Sequence, residues 1–242
     1  PVEVSGRPGE IINRIIEARP ELIFNVAEGI HGPAREAFYP AIFQTLKIPF
    51  TGSSAETLYV GLDKRVTSEI LNSCGIRTPQ GALITPQNSD LPEDLEYPLF
   101  IKPNVEGSSK GITSDSIVEN RQQAEKRLNE LLDKYPEGLT VEEYISGREL
   151  TVPWLQQFPG QLLDIVEWIV QKEEGALKSV CPAELEPEQR QAVLFLAEQT
   201  IRKLSIKDFG RIDIRLSENG KPYMIEANAL PGLRPEFSLM TA

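Results

Sequence analysis

Apolar residues recur at Ile11, Ile12, Ile15, Ile16 and Ala18, which predicts a helix over 9–19 that Pro20 ends. A short apolar run predicts a buried strand at 22–26, followed by the Gly-broken loop Glu28-Gly29-Ile30-His31-Gly32 and a helix at 34–46. A strand, a Gly loop and a helix in succession form a common ligand edge of α/β folds. Further strands are predicted at 81–84, 98–103, 139–145, 148–155 and 162–170. Between them 120–135 is amphipathic, with Ala124, Leu128, Leu131, Leu132 and Tyr135 on one stripe and Asn120 and Gln123 arranged as a capping box. A last helix at 187–204 turns Val193, Leu194, Ala197, Ile201 and Leu204 toward a core. Trp154 and Trp168 fall on strands and read as packing residues.

The clearest pattern is a hairpin over 208–232. Asn219-Gly220 between two alternating runs favours a two-residue type I′ turn, with Glu218 facing Lys221. That register sets Asp213 opposite Glu226 and Arg211 opposite Asn228, and sends Ile212, Ile214, Tyr223, Ile225 and Ala227 to the other face. Two opposed carboxylates lie roughly 5 Å apart at Cβ and repel each other. A cation between them relieves the repulsion, and an all-oxygen set suits Mg²⁺ or Mn²⁺. Salt bridges from Arg211 and Arg215 on an exposed face explain the same pattern without a metal.

A second chemical segment lies upstream. The predicted strand 98–103 carries Lys102 at its end and leads into Asn104-Val105-Glu106-Gly107-Ser108-Ser109-Lys110-Gly111. Such a loop can wrap a phosphate with backbone N–H groups and hydroxyls while the lysine supplies a point charge, although the Walker spacing is absent. A flexible Gly-Ser connection is the alternative.

Composition narrows the classes. The 242 residues, 40% hydrophobic and 25% charged, can form one large or two modest domains. A net charge of -11 without any basic run argues against nucleic acid as a partner. Cys74 and Cys181 have neither a disulfide-framework nor a zinc-site spacing and fit a reducing cytoplasm. Neither a membrane span nor a signal peptide is expected. The start at Pro1 reads as a beginning inside a longer protein.

Gly210-Arg211-Ile212-Asp213, the Gly turn, and Glu226-Ala227-Asn228 with Pro231-Gly232, together with Lys102-Pro103 and Gly107-Ser108-Ser109, resemble the motifs of ATP-grasp carboxylate–amine ligases, most closely the D-alanine–D-alanine ligases. The resemblance runs from about 22 to 232 with the motifs in order. It implies an α/β (α+β) chain: an ATP-grasp fold preceded by a partial α/β N-terminal domain, divided as 1–62, 63–155 and 156–242. It implies ATP and Mg²⁺ (or Mn²⁺) as cofactors, amino acids as small-molecule substrates, a cytoplasmic location, and a homodimer as one option.

By the same resemblance Asp213, Glu226 and Asn228 bind the metal. Lys64, Lys102, Ser108 and Ser109 hold the phosphates, and Arg211, Ser108 and the Gly232 amide form the catalytic set. Glu142 and the backbone near Tyr144 and Ile145 meet the base, and Glu149 meets the ribose. His31 gains a substrate role, although a lone loop histidine is more often a surface or orienting residue; Glu28 and Glu36 are weaker candidates for holding a substrate amine. The implied reaction turns a carboxylate into an acyl phosphate that the amine of a second amino acid attacks, with D-alanine in both places. A ligase for other amino acids, and a nucleotide-binding protein without ligase activity, are the alternatives. Three pieces of the pattern are missing: the first substrate loop expected before Pro1, a long lid expected between Val170 and Cys181 with Lys178 at its edge, and a final helix expected after Ala242.

Overall fold

The computed structural model describes residues 6–157, 162–170 and 177–233. Helix α1 (Pro8–Ala18) starts on a proline and closes through Arg19 in the left-handed region, at φ 45°. Helix α2 (Arg35–Thr45) accommodates Pro40, and Tyr39 and Phe43 from it pack with Ile15 and Phe50 in a small cluster. The expected buried strand at 22–26 is reduced to a single parallel bridge from Ile23 to Phe50. One pairing covers one face only, so Asn25 is buried while Leu22, Phe24 and Val26 are 58–64% exposed. Two short helices follow, α3 (Ala55–Leu62) and α4 (Lys64–Ser73). Asp63 sits between them and its carboxylate accepts from the Val66 N–H, which is why α4 begins at Lys64.

Two antiparallel sheets make up the rest. The first contains β1 (Gly81–Ile84), β2 (Leu99–Pro103), β3 (Ile117–Val118) and β4 (Leu139–Glu143), in the order β1-β4-β2-β3. Helix α5 (Arg121–Leu131) packs Ala124, Leu128 and Leu131 onto Leu99, Ile101 and Val141 of this sheet. The second sheet contains β5 (Gly147–Leu155), β6 (Val166–Val170), β7 (Leu177–Val180), β8 (Phe209–Ser217) and β9 (Pro222–Asn228), in the order β7-β6-β5-β8-β9. Helix α6 (Pro187–Leu204) covers it, so that Val193, Ala197 and Ile201 join Leu150, Val152, Ile212, Ile214 and Met224 in the main core. The chain passes from one sheet to the other at 144–146, and β5 therefore belongs wholly to the second sheet. Among the described residues no helix is long and apolar enough to cross a membrane.

The β8–β9 hairpin corrects the predicted turn. The Gly220 N–H donates to the Ser217 carbonyl at 2.8 Å and Gly220 has φ 76°, giving a three-residue loop over 218–220 that ends in a left-handed glycine. The pairs nearest the turn are accordingly Leu216 with Pro222, Arg215 with Tyr223 and Ile214 with Met224, each one residue away from the two-residue register. An irregularity then inserts Ile225 as an extra residue on β9 and restores Asp213 opposite Glu226 and Arg211 opposite Asn228. Met224, rather than Tyr223 or Ile225, fills the core in consequence, at 1% exposure.

Candidate active site

Side chains from four distant parts of the chain meet on the polar face of β8 and β9. Period-two alternation puts Arg211, Asp213 and Arg215 on one side of β8, away from the buried Ile212, Ile214 and Leu216. Asp213 is held at both oxygens: Thr151 Oγ1 donates to Oδ1 at 2.7 Å, and Arg211 Nη2 donates to Oδ2 at 3.0 Å. Thr151 in turn accepts from Trp168 Nε1 at 3.0 Å. Trp168 is thus tied to the site and is not a packing residue alone. The Lys64 ammonium lies 3.6 Å from Glu226 and also donates to the Glu106 carbonyl at the base of the Gly-Ser loop.

The cluster is electrostatically tense. Burial pushes the Asp213 carboxyl up, the Arg211 guanidinium opposes this, and the charge of Glu226 adds to the rise. Arg211 is itself held more firmly protonated, first by Asp213. Burial pushes the Lys64 ammonium down against the attraction of Glu226, and neighbouring Lys102 pushes it the same way. Glu36, in the first turn of α2, is raised to about 7 by burial, with Arg35 opposing and Glu28 and Glu226 adding to the rise. The Arg211 Nε–H is buried and has no acceptor among the described residues. An unpartnered buried donor of this kind costs about 1–3 kcal/mol, and an anionic ligand would satisfy it.

Next to this face Lys102 and Glu142 form a 2.6 Å ion pair, 6% and 8% exposed. Tyr144, Ile145 and Glu149 gather around Arg215, whose guanidinium donates to the Tyr144 hydroxyl at 2.8 Å and to the Ile145 carbonyl at 3.1 Å and lies 3.4 Å from Glu149. The Gly-Ser loop is anchored at both ends. Asn104, 1% exposed, donates to Asp63 Oδ1 and accepts from the Arg65 N–H and from Thr140 Oγ1, each at 2.9 Å. Arg35 donates to the Val105 carbonyl at 2.7 Å. At the far end Arg127 Nη2 donates to the Gly111 carbonyl at 3.0 Å.

Other expected residues stand apart. Ser108 and Ser109 lie at the exposed tip of the loop, both left-handed at φ 55° and 56°, with no side-chain hydrogen bond to the carboxylate face among the described residues. The Asn228 side-chain oxygen accepts from the Leu230 N–H at 3.0 Å. Gly232 and His31 are exposed. Of the lid expected between Val170 and Cys181, residues 171–176 lie outside the described residues, and so do 234–242, which include most of the segment 233–240 that lacks the family's Gly-x-x-x-x-Ser spacing. Thr151, Asn104 and Arg35 escape a sequence reading because their roles arise from contacts between segments distant in the chain, and Arg215 reads there only as a salt-bridge residue on an exposed face. Asn104 alone carries a local signal, since it opens the Gly-Ser loop.

The donor chemistry fits a hard divalent cation. Among the described residues no three His, Cys, Asp or Glu side chains come together as a cage, and the candidate ligands are two opposed carboxylates and one amide. An apolar groove of about 480 Å³ lined by Ile12, Ala37, Phe38 and Ile42, among others, carries no titratable side chain and is not the reacting centre.

A family described as "D-ala D-ala ligase C-terminus" matches residues 78–242. An uncharacterized protein of Sinorhizobium fredii is 29% identical over 91% of this chain and 68% of its own length. The D-alanine–D-alanine ligase of Aquifex aeolicus is 32% identical over 96% of this chain and 79% of its own. The crystal structure of D-alanine–D-alanine ligase from Bacillus anthracis complexed with ATP superimposes with a TM-score of 0.80 at 24% identity, covering 95% of this chain and 75% of that one. The shared fold is therefore the ATP-grasp fold expected from the motifs.

Proposed function

Since the chain belongs to the D-alanine–D-alanine ligase family, we propose that it uses ATP to activate D-alanine and joins it to a second D-alanine. The observation that carries the site assignment is the buried Arg211 Nε–H, without an acceptor among the described residues, beside two opposed carboxylates. A transferring phosphoryl group, or the oxyanion formed at the attacked carbon, is an anion of the kind that donor lacks.

In this reading a carboxylate oxygen of the first amino acid attacks the γ-phosphorus of ATP, the bond to ADP breaks, and an acyl phosphate forms. The amine of the second amino acid then attacks the acyl carbon, loses a proton, and expels phosphate. Lys64 and Lys102 supply positive charge to the phosphates, and the N–H groups and hydroxyls of the loop at Ser108 and Ser109 close over them. Arg211 and the Gly232 amide steady the oxyanion, while Thr151 and Trp168 fix the carboxylate of Asp213. Asp213, Glu226 and Asn228 would hold Mg²⁺, which when bound neutralises phosphoryl charge. Glu142, Tyr144 and Ile145 face the base and Glu149 the ribose. The reading divides the chain into an N-terminal part, 1–62, and two ATP-grasp lobes, 63–155 and 156–242, although β5 (Gly147–Leu155) pairs with the strands of the last. A cytoplasmic location, where amino acids and ATP are both available, completes the reading.

The test is ADP release from the purified protein with magnesium ATP and a panel of D- and L-amino acids. D-alanine should stimulate release, and Glu226→Gln should reduce it more than tenfold. A variant that keeps a tenth of the rate removes Glu226 from the centre. Turnover with another pair but none with D-alanine transfers the activity to other substrates.

A further inference from the structure

Arg215 has no part in the reaction just described, yet it is among the best-held charges of the second sheet. Its side chain is 17% exposed, and it stands directly opposite Glu149 in the β5–β8 register. An exposed arginine–carboxylate pair is typically worth only 0–1 kcal/mol and leaves the guanidinium loose. Here the guanidinium also takes the Ile145 carbonyl and the Tyr144 hydroxyl, and lies 5.2 Å over the Tyr144 ring. Both residues belong to 144–146, where the chain passes from one sheet to the other. On the other side the same segment is tied to the start of β2 in the first sheet, where the Tyr144 N–H donates to the Pro98 carbonyl at 3.0 Å. The passage is thus pinned from both directions, and Arg215 supplies the pin from β8.

We propose that Arg215 is the nucleoside-positioning residue of this ligase, holding Tyr144, Ile145 and Glu149 where they meet the base and ribose of ATP. The inference rests on the ligase reading and on its assignment of these three residues to the nucleoside. Arg215 acts through them: without the guanidinium the passage keeps its tie to Pro98 and the bond from Ser146 Oγ to Glu218 in the hairpin loop, while Tyr144 and Ile145 lose their bonds to β8. The phosphate end of the site is built on Lys64, Lys102 and the Gly-Ser loop, and Arg215 touches none of these. A planar fork with several donors can serve a carbonyl, a hydroxyl and a carboxylate at once, whereas one ammonium cannot reproduce that geometry.

Calorimetric titration of the whole chain with magnesium ATP and with magnesium tripolyphosphate, which has no nucleoside, tests this. Arg215→Met should weaken ATP binding about tenfold, equivalent to about 1.4 kcal/mol, and leave tripolyphosphate within twofold. Arg215→Lys should fall at least fivefold for ATP, and it carries the comparison alone if the methionine variant does not fold. Tyr144→Phe, which removes one of the acceptors, should weaken ATP two- to fourfold with tripolyphosphate unchanged. ATP affinity within twofold of wild type in both Arg215 variants, or equal losses for both ligands, overturns the proposal. Wild-type binding of ATP no tighter than of tripolyphosphate overturns the nucleoside reading beneath it, and so separates the two failures.

Discussion

Replacing Glu36 by glutamine should flatten the dependence of folding stability on pH between about 5 and 8. Burial raises this carboxyl from 4.5 to about 7, against the attraction of Arg35 and with help from Glu28 and Glu226. A group whose folded pKa lies above its unfolded value stabilises the fold fully below the unfolded value, and that contribution disappears as pH rises through the folded one. The difference of about 2.5 units corresponds to about 3.4 kcal/mol at 1.36 kcal/mol per unit. About 2.5 kcal/mol of it falls between pH 5 and pH 8 by proton linkage. Lys64, with its ammonium pushed down by burial, acts in the opposite sense at higher pH, favouring the fold as pH climbs through its own folded value. Subtracting the variant's curve cancels that contribution to first order. Urea unfolding of both proteins at several pH values should show the wild type losing about 2–3 kcal/mol relative to Glu36→Gln over this window. Parallel curves within about 0.5 kcal/mol would show that Glu36 titrates as an ordinary surface carboxyl, and would place the start of α2 outside the field of Glu226 and Lys64.

Glu142→Ala should cost about 3–5 kcal/mol in chemical denaturation because it leaves the buried Lys102 ammonium without its partner. The double replacement Lys102→Met with Glu142→Leu should cost less than half as much, and a single-variant loss below about 1 kcal/mol would contradict the burial of the pair. Gly111→Ala should lose about 2 kcal/mol, since Gly111 has φ 75° and a Cβ there would lie 2.7 Å from Pro103 Cγ. Gly107→Ala, where an added Cβ meets nothing within 4 Å, is the control and should stay under about 1 kcal/mol in the same thermal melt.

Local signals were readable wherever the determining residues are close in sequence. Helix α6 falls at Pro187–Leu204 as its periodicity predicts, and Asn120 caps α5 by accepting from the Gln123 N–H at 3.0 Å. The Gln123 side chain reaches the Glu119 N–H at 2.7 Å instead of the cap residue, so the predicted box is half formed. The carboxylate pair of Asp213 and Glu226 came out in register although the turn did not, because the loop of 218–220 and the extra Ile225 shift the strand in compensating directions. Nothing in the alternation of a strand announces a bulge. The strand expected at 22–26 failed for a related reason: an apolar run says that a segment can be buried, whereas burial depends on neighbours that lie elsewhere. Arg211, two residues away on the same face, was legible as a partner of Asp213, whereas Thr151 was not, since it reaches Asp213 through the β5–β8 register and Trp168 reaches Thr151 through β5–β6.

Asn104 fastens three pieces of the molecule with one amide: the cap of α4 through Asp63, the start of that helix through the Arg65 N–H, and β4 through Thr140. It is also the first residue of the Gly-Ser loop. Mechanically this makes it a rivet and not a hinge. Any displacement at that end of the loop would drag Lys64 with it, since Lys64 is the residue between Asp63 and Arg65 and its own N–H bonds the Asn104 carbonyl at 3.3 Å. A loop riveted at its root can change shape only toward its tip, where residues 107–110 are held by little beyond their own turns. Closing over a ligand would then be a movement of that tip alone, with Lys64 and the carboxylate face staying put as a fixed anvil.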